Sequence, residues 1–277
     1  GYCCVSCDLQ LEMESFYSAD KIIFEVNPAI PHLPGDCALP VAMADVIIES
    51  DLSLYELQDP PIGEAEKTIA QYAAEMVHDG DCIQLGFGGI PNAIGFELMN
   101  RHDLGIHTEQ IGASMAHMIQ NGVVTNRYKN LDKGWSVGAF IIADNFTYNY
   151  VNNHPRIMMR RGRYTNDPMI IAQQDNMVSI NTILEMDLTG QVCSESIGPR
   201  QFSGSGGGFC FAYGALHSKG GRGILAFASR SKKGMPKIKP MLTQGAVVTI
   251  PRNYVDYIVT EYGVARMKGR SVLERTR

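Results

Sequence analysis

The stretch "CIQLGFGGIPNAIGFEL", Cys82–Leu98, runs a short apolar segment into glycines, then a proline, then an apolar-periodic segment. Read locally, Cys82–Leu85 is a strand and the glycines are a tight turn. Pro91 then suits the first turn of a helix, where its missing N–H is no loss. A strand, turn and helix in that order form the unit from which parallel α/β sheets are built.

The pattern repeats outward from there. Upstream, Ile69, Tyr72, Ala73, Met76 and Val77 recur at helical spacing within Glu64–His78, and Gly80 is placed to end that helix. Downstream, "LGIHTEQIG" (104–112) reads as the next strand, followed by a helix start at "ASMAHMIQNG". "AFIIAD", "IIAQQDNMVSIN", "GQVCSESIG", "GAVVTIP" and "DYIVTEYG" are strand-like, as are "KIIFEVNP" and "VAMADVIIESD" near the start. The expected class is therefore α/β, with open, largely parallel sheets flanked by helices. Two prolines and a glycine break any periodicity in "LYELQDPPIGEAE" (54–66), so a domain boundary is placed there, between 58 and 59.

Bulk composition narrows the function. The chain has 277 residues, 45% of them hydrophobic, and a net charge of −5, which offers no basic footprint for nucleic acid. No apolar run approaches the ~18 residues of a membrane helix, so a cytoplasmic protein without a membrane partner is expected. Seven scattered cysteines make no disulfide framework, and Cys4 and Cys7 lack a second pair at zinc-binding spacing. Reduced thiols and no metal are the expectation.

Two ligands suit the glycine turn. Gly86-Phe87-Gly88-Gly89-Ile90-Pro91 carries the first two glycines of a dinucleotide fingerprint, and Glu109 lies about 20 residues on, where a ribose-binding acid would sit. Pro91 replaces the third glycine, however. Alternatively, the backbone N–H groups of the same turn form an anion site or an oxyanion hole for a thioester carbonyl. Glu109, at the end of the neighbouring strand, would then face the turn as a carboxylate nucleophile. A surface glutamate and a purely structural turn remain open as well.

Longer motifs add a likeness. "QLGFGGIPNAIGFELMNRHDLGIHTEQ", "NGVVTNRYKNLDKG", "DNMVSINTILEMDLTGQVCSESIG", "QFSGSGGG" and "DYIVTEYGVARMKGRS" occur in order along nearly the whole chain. Together they resemble the family I CoA-transferases, in the acetyl-CoA hydrolase/transferase group with the 4-hydroxybutyrate and butyryl-CoA:acetate CoA-transferases. The resemblance implies a CoA-transferase fold of two similar domains. Residues 1–58 would be the C-terminal part of an incomplete first domain, and 59–277 the second, itself short of its final helices.

It also implies that Glu109 becomes a glutamyl-CoA thioester, and that Gly86, Phe87, Gly88, Gly89 and Ile90 contribute to CoA binding and the oxyanion hole. Gly207 of the later glycine run would approach CoA, as would Lys232, with Lys233 the alternative match. Gly208 and Cys210 stand where related chains carry glutamine and aspartate, which leaves the acyl preference open. The implied reaction moves CoA between short-chain acyl-CoA and a carboxylate, with coenzyme A as substrate and no permanently bound cofactor, in a cytoplasmic homo-oligomer of fermentative metabolism. An acyl-CoA hydrolase, a nicotinamide oxidoreductase and a non-catalytic CoA-binding module are the alternatives. His107, two residues before Glu109, shares its strand face and is read as a packed or hydrogen-bonded histidine. Glu195 is a weaker nucleophile candidate, and "RIMMRRGR" (156–163) is read as a solvated basic face that could meet CoA phosphates.

Overall fold

The computed structural model describes residues 1–57 and 61–276. The first segment contains β1 (Tyr2–Cys4), α1 (Glu12–Ser18), β2 (Ile23–Val26), β3 (Ala38–Pro40) and β4 (Val46–Glu49). Next come α2 (Glu64–Glu75), β5 (Cys82–Leu85), α3 (Gly89–Glu97), β6 (Gly105–Ile106), α4 (Ala113–Gln120) and β7 (Ser136–Gly138). They are followed by α5 (Asn145–Val151), β8 (Ile157–Met159), α6 (Gly162–Thr165), α7 (Pro168–Ile171) and β9 (Met177–Asn181). Short hairpin strands β10 (Glu185–Asp187), β11 (Val192–Cys193), β12 (Ser196–Ile197) and β13 (Arg200–Gln201) lead to α8 (Gly208–His217). The chain closes with β14 (Arg222–Ala226), β15 (Ile238–Lys239), β16 (Tyr257–Thr260), β17 (Gly263–Arg266) and the helical turn α9 (Val272–Arg275).

The central sheet has six strands in the order β17-β16-β14-β9-β5-β6. All neighbours are parallel except β16–β17, a tight antiparallel hairpin at the edge. Alternation along the strands feeds two apolar layers. Ile83, Leu85, Val178, Ile180, Ile224 and Ala226 join the core built on Ile69, Ala70 and Ala73 of α2. Cys82, Met177 and Leu225 face the other way, toward Phe211, Ala215 and Ala212 of α8. Helices thus cover both faces, as a parallel sheet requires.

The strand–turn–helix reading of Cys82–Leu98 holds: β5 spans Cys82–Leu85, and Pro91 lies in the first turn of α3. Other boundaries differ. Helix α2 ends at Glu75, before Gly80, which lies in the following turn. "LGIHTEQIG" keeps only Gly105–Ile106 in the central sheet, then crosses to bridge Val137 and Phe140. The strand expected at "AFIIAD" is displaced to Ser136–Gly138, because the amides of Phe140 and Ile141 bond instead to the carbonyls of Glu109 and Cys7. "IIAQQDNMVSIN" begins in α7 and only its end is strand, and "GAVVTIP" is bridged only at Ile250.

The boundary expected between 58 and 59 lies outside the described residues. Segments on either side of it share one core: Leu9, Phe16, Leu33 and Leu39 cluster with Ile141, Ile157 and Met159. Backbone bonds reinforce this, with Leu9 N donating to Ala139 O (2.8 Å) and Met159 N to Pro34 O (2.9 Å). No helix among the described residues is long and apolar enough to cross a membrane.

At the opposite end of the strands from the site, Arg222 is ion-paired to buried Asp81 and donates to Met76 O (3.0 Å), joining β14, β5 and the end of α2. Burial pushes the Asp81 carboxyl above its usual range despite the guanidinium. Removing the cation alone would strand a buried charge. Arg222→Leu is therefore expected to lower stability by about 3–5 kcal/mol in a denaturation series, and adding Asp81→Asn should recover most of it.

Candidate active site

Because the central strands run parallel, their carboxyl ends share one edge, and that is where open α/β sheets bind ligands. Cys82 pairs with Gly105 and Ile83 with Ile106, so continuing the register sets Gly86 level with Glu109. His107 N donates to Ile83 O (3.2 Å), Thr108 N to Val137 O (3.0 Å), and Glu109 O accepts from Ala139 N (2.8 Å) and Phe140 N (3.0 Å). The segment carrying Glu109 is thus suspended between β5 and β7, and its alternation sends His107 and Glu109 to the α8 side.

His107 is fully buried beside Tyr164 and Phe211. Its Nε2 donates to Thr165 O at 3.0 Å, and burial lowers its pKa to about 4, so the ring is neutral. The packed, hydrogen-bonded reading of this histidine holds.

Glu109 is half-buried. Its Oε1 accepts from the Gln10 side-chain amide and from Asn166 Nδ2 (3.0 Å), and the Gly207 backbone N–H donates to the same carboxylate. Burial raises its pKa, while the Asn166 and Gly207 bonds oppose the rise. Among the described residues no lysine, arginine or histidine forms an ion pair with it. A desolvated carboxylate held by neutral donors keeps its charge available for attack rather than neutralised by a cation.

Gly207, the N-cap of α8, is brought directly against the glutamate. A Cβ there would stand 2.6 Å from Glu109 Oε2 and 2.8 Å from Asn166 Nδ2. The Gly86–Ile90 turn leaves β5 on the neighbouring strand end. Gly86 N donates to Ile180 O (2.7 Å), a Cβ on Gly86 would meet Asn181 Oδ1 at 2.5 Å, and Gly88 takes φ +120° at the N-cap of α3. None of the turn's residues is a hydrogen-bond partner of the carboxylate among the described residues. The turn instead borders a cavity of about 320 Å³ with Gln110, Gly112, Ser114 and Asp144. Gln110 points into that cavity, on the far side of the strand from Glu109.

Lys232 and Lys233 are exposed at the tip of a turn beyond the end of β14, closed by Ser231 N to Met235 O (2.8 Å). No contact joins either to Glu109. Glu195 braces its hairpin, accepting from Thr249 Oγ1 (2.9 Å) and Gln201 Nε2 (3.0 Å). The basic stretch is not simply a solvated face: Arg160 pairs with Asp36 and Asp132 (3.1 Å each) and Arg161 with Glu14. Arg156 and Arg163 remain exposed. The seven cysteines are free, and no group of three or more His, Cys, Asp or Glu among the described residues could hold a metal. Sequence reasoning missed Gln10 and Asn166, whose amides carry no local pattern.

Comparison with known proteins decides the family. The model of the acetyl-CoA hydrolase/transferase C-terminal domain matches residues 144–277. The 4-hydroxybutyrate coenzyme A transferase of Clostridium kluyveri is 42% identical over all of this chain. The chain belongs to the acetyl-CoA hydrolase/transferase family. The succinyl-CoA:cyclohexane-1-carboxylate CoA transferase of Geobacter metallireducens is likewise 42% identical, over 99% of the chain. The crystal structure of RipA from Yersinia pestis superposes on the whole chain with a TM-score of 0.95 at 40% identity. The chain spans 65% and 63% of the two curated relatives and 63% of the RipA chain. The CoA-transferase type of fold implied by the sequence motifs is thus the observed one.

Proposed function

We propose that the protein is a CoA-transferase that moves CoA between a short-chain acyl-CoA and a free carboxylate, with Glu109 as nucleophile. The observation that carries this reading is a desolvated carboxylate at the sheet's carboxyl edge, gripped by amide and backbone donors and without a counter-ion among the described residues. The names of the two curated relatives, both CoA transferases, support it.

A carboxylate oxygen of Glu109 attacks the acyl carbonyl and the C–S bond breaks, leaving CoA thiolate and a mixed anhydride. The thiolate attacks the glutamyl carbonyl and expels the donor acid, which leaves a glutamyl-CoA thioester. An acceptor carboxylate attacks that thioester, the thiolate departs, and a second anhydride forms. Thiolate attack on the acceptor's acyl carbon then releases the new acyl-CoA and regenerates Glu109. Gly86, Phe87, Gly88, Gly89, Ile90, Gly207 and Lys232 are assigned to CoA in this scheme. The place of Gly86–Ile90 and Gly207 at the carboxyl edge of the sheet supports their assignment, and that of Lys232 rests on the motif resemblance. The scheme needs no metal or redox cofactor and suits a cytoplasmic homo-oligomeric enzyme of fermentative short-chain acid metabolism.

The test is a panel of acyl-CoA donors against acetate, butyrate and 4-hydroxybutyrate, using the full-length protein. New acyl-CoA should form without free thiol. Thiol release without exchange would make the protein a hydrolase, and neither product would overturn the catalytic reading.

A further inference from the structure

We propose that Gln10 is a further catalytic residue, whose amide holds Oε1 of Glu109 and remains on that oxygen through the glutamyl intermediates. This rests on the nucleophilic role of Glu109 given above and adds to it a donor supplied from 99 residues away.

The segment that delivers Gln10 is fixed on both sides. Leu9 is fully buried, its N–H donates to Ala139 O (2.8 Å), and its carbonyl accepts from Gly162 N (2.8 Å). Ile141 N donates to Cys7 O (2.9 Å), and Gln10 N donates to Asp8 Oδ1 (2.9 Å). Gly162 leaves room for this arrangement: a Cβ there would lie 2.5 Å from Gln10 Oε1 and 2.6 Å from its backbone oxygen. The first turn of α6 is therefore shaped around Gln10.

The other end of the amide indicates what the residue is for. Gln10 Oε1 is buried without a hydrogen-bond partner among the described residues. An unpaired buried carbonyl is unfavourable, and a leucine or methionine would fill the same volume without it. A purely structural role gives no reason to keep an amide here, whereas the bond from Nε2 to Glu109 does. Departures of this kind from stability rules concentrate at functional sites.

The chemistry follows from which oxygen is held. Gln10 and Asn166 both donate to Oε1, whereas the Gly207 backbone, which lies against Oε2, supplies a single N–H to the carboxylate. Bond formation with the acyl carbon therefore falls to Oε2, the oxygen without a side-chain amide. Oε1 then becomes the carbonyl oxygen of the anhydride and of the thioester. Each attack on the glutamyl carbon places negative charge on Oε1, where the two amides already point. Before attack, the same bonds favour the ionised carboxylate against its burial. Asp8 and Cys210 feel the Glu109 charge, with Glu12 next to Asp8, Asp167 next to Asn166 and neutral His107 two residues along the strand. Arg161 and Arg163, which flank Gly162, are directed to Glu14 instead. Among the described residues no cation is paired with the carboxylate in place of the amides.

The experiment measures CoA loading of the full-length protein from acyl-CoA, without acceptor, across pH. Gln10→Leu should load ~10²-fold more slowly, as expected for loss of one oxyanion donor. Its acidic limb should move to higher pH, with the KM for acyl-CoA little changed. Gln10→Glu, nearly isosteric, should move the limb further, because a second carboxylate would face Oε1. It also carries the test if the leucine variant fails to fold. Wild-type loading and an unmoved limb in the folded variants would overturn the role of Gln10. Persistent loading in Glu109→Ala would instead remove the nucleophile on which the inference stands.

Discussion

Glu109→Gln should fold normally and lose CoA exchange by ~10⁴-fold or more, the scale seen when a nucleophile is deleted from a covalent mechanism. The substitution is nearly isosteric, and the glutamine carbonyl can still accept from Gln10 and Asn166. It also removes a charge whose burial already raises its pKa, so stability should hold or rise. Acyl-CoA binding, measured by titration calorimetry, should stay near wild type. Near wild-type exchange in a folded Glu109→Gln protein would eliminate the carboxylate as the reacting group.

Gly207→Ala is the second large effect. The backbone there has φ −86°, which alanine adopts without strain, so the fold should tolerate the change. The active site should not, because the new methyl would come within 2.6 Å of Glu109 Oε2 and 3.1 Å of its carboxyl carbon. Either the glutamate turns away from Asn166 or the start of α8 retreats. Displacing a reacting group by a fraction of an ångström to one ångström costs ~10²-fold or more in rate. A thermal midpoint close to wild type with that loss in exchange is the expected pair of results. Unchanged exchange would mean that the carboxylate works from another position.

Why these two residues could be found in the sequence, and their partners could not, has a physical basis. Cys82–Leu98 is legible because its strand, turn and helix are punctuated locally by glycine and proline. That one unit, placed beside "HTE", locates the carboxyl edge of the sheet. Gln10 and Asn166 lie 99 and 57 residues from Glu109, and an amide side chain has no periodicity to betray it.

The misplaced strand at "AFIIAD" has a related cause. Ala139, Ile141 and Ala143 are buried, as the alternation implied, but a ladder also needs a neighbouring strand in register. Cys7 and Glu109 supply single carbonyls there instead. Likewise, Arg160 and Arg161 read as solvated charges because Asp36, Asp132 and Glu14, which pair with them, are scattered along the chain. Local patterns told where residues are buried; long-range partners decided what each one bonds to.

Covalent capture of the intermediate tests the central claim most directly. The full-length protein is incubated with acyl-CoA and no acceptor, digested rapidly in acid, and its peptides are weighed. A nucleophile that exchanges its acyl group for CoA must carry CoA after the first half-reaction, so the added mass should sit on the peptide containing Glu109. Borohydride should reduce that thioester to an alcohol and leave the enzyme inactive. CoA found on the Glu195 peptide, or no adduct in a preparation that exchanges CoA, would contradict the account.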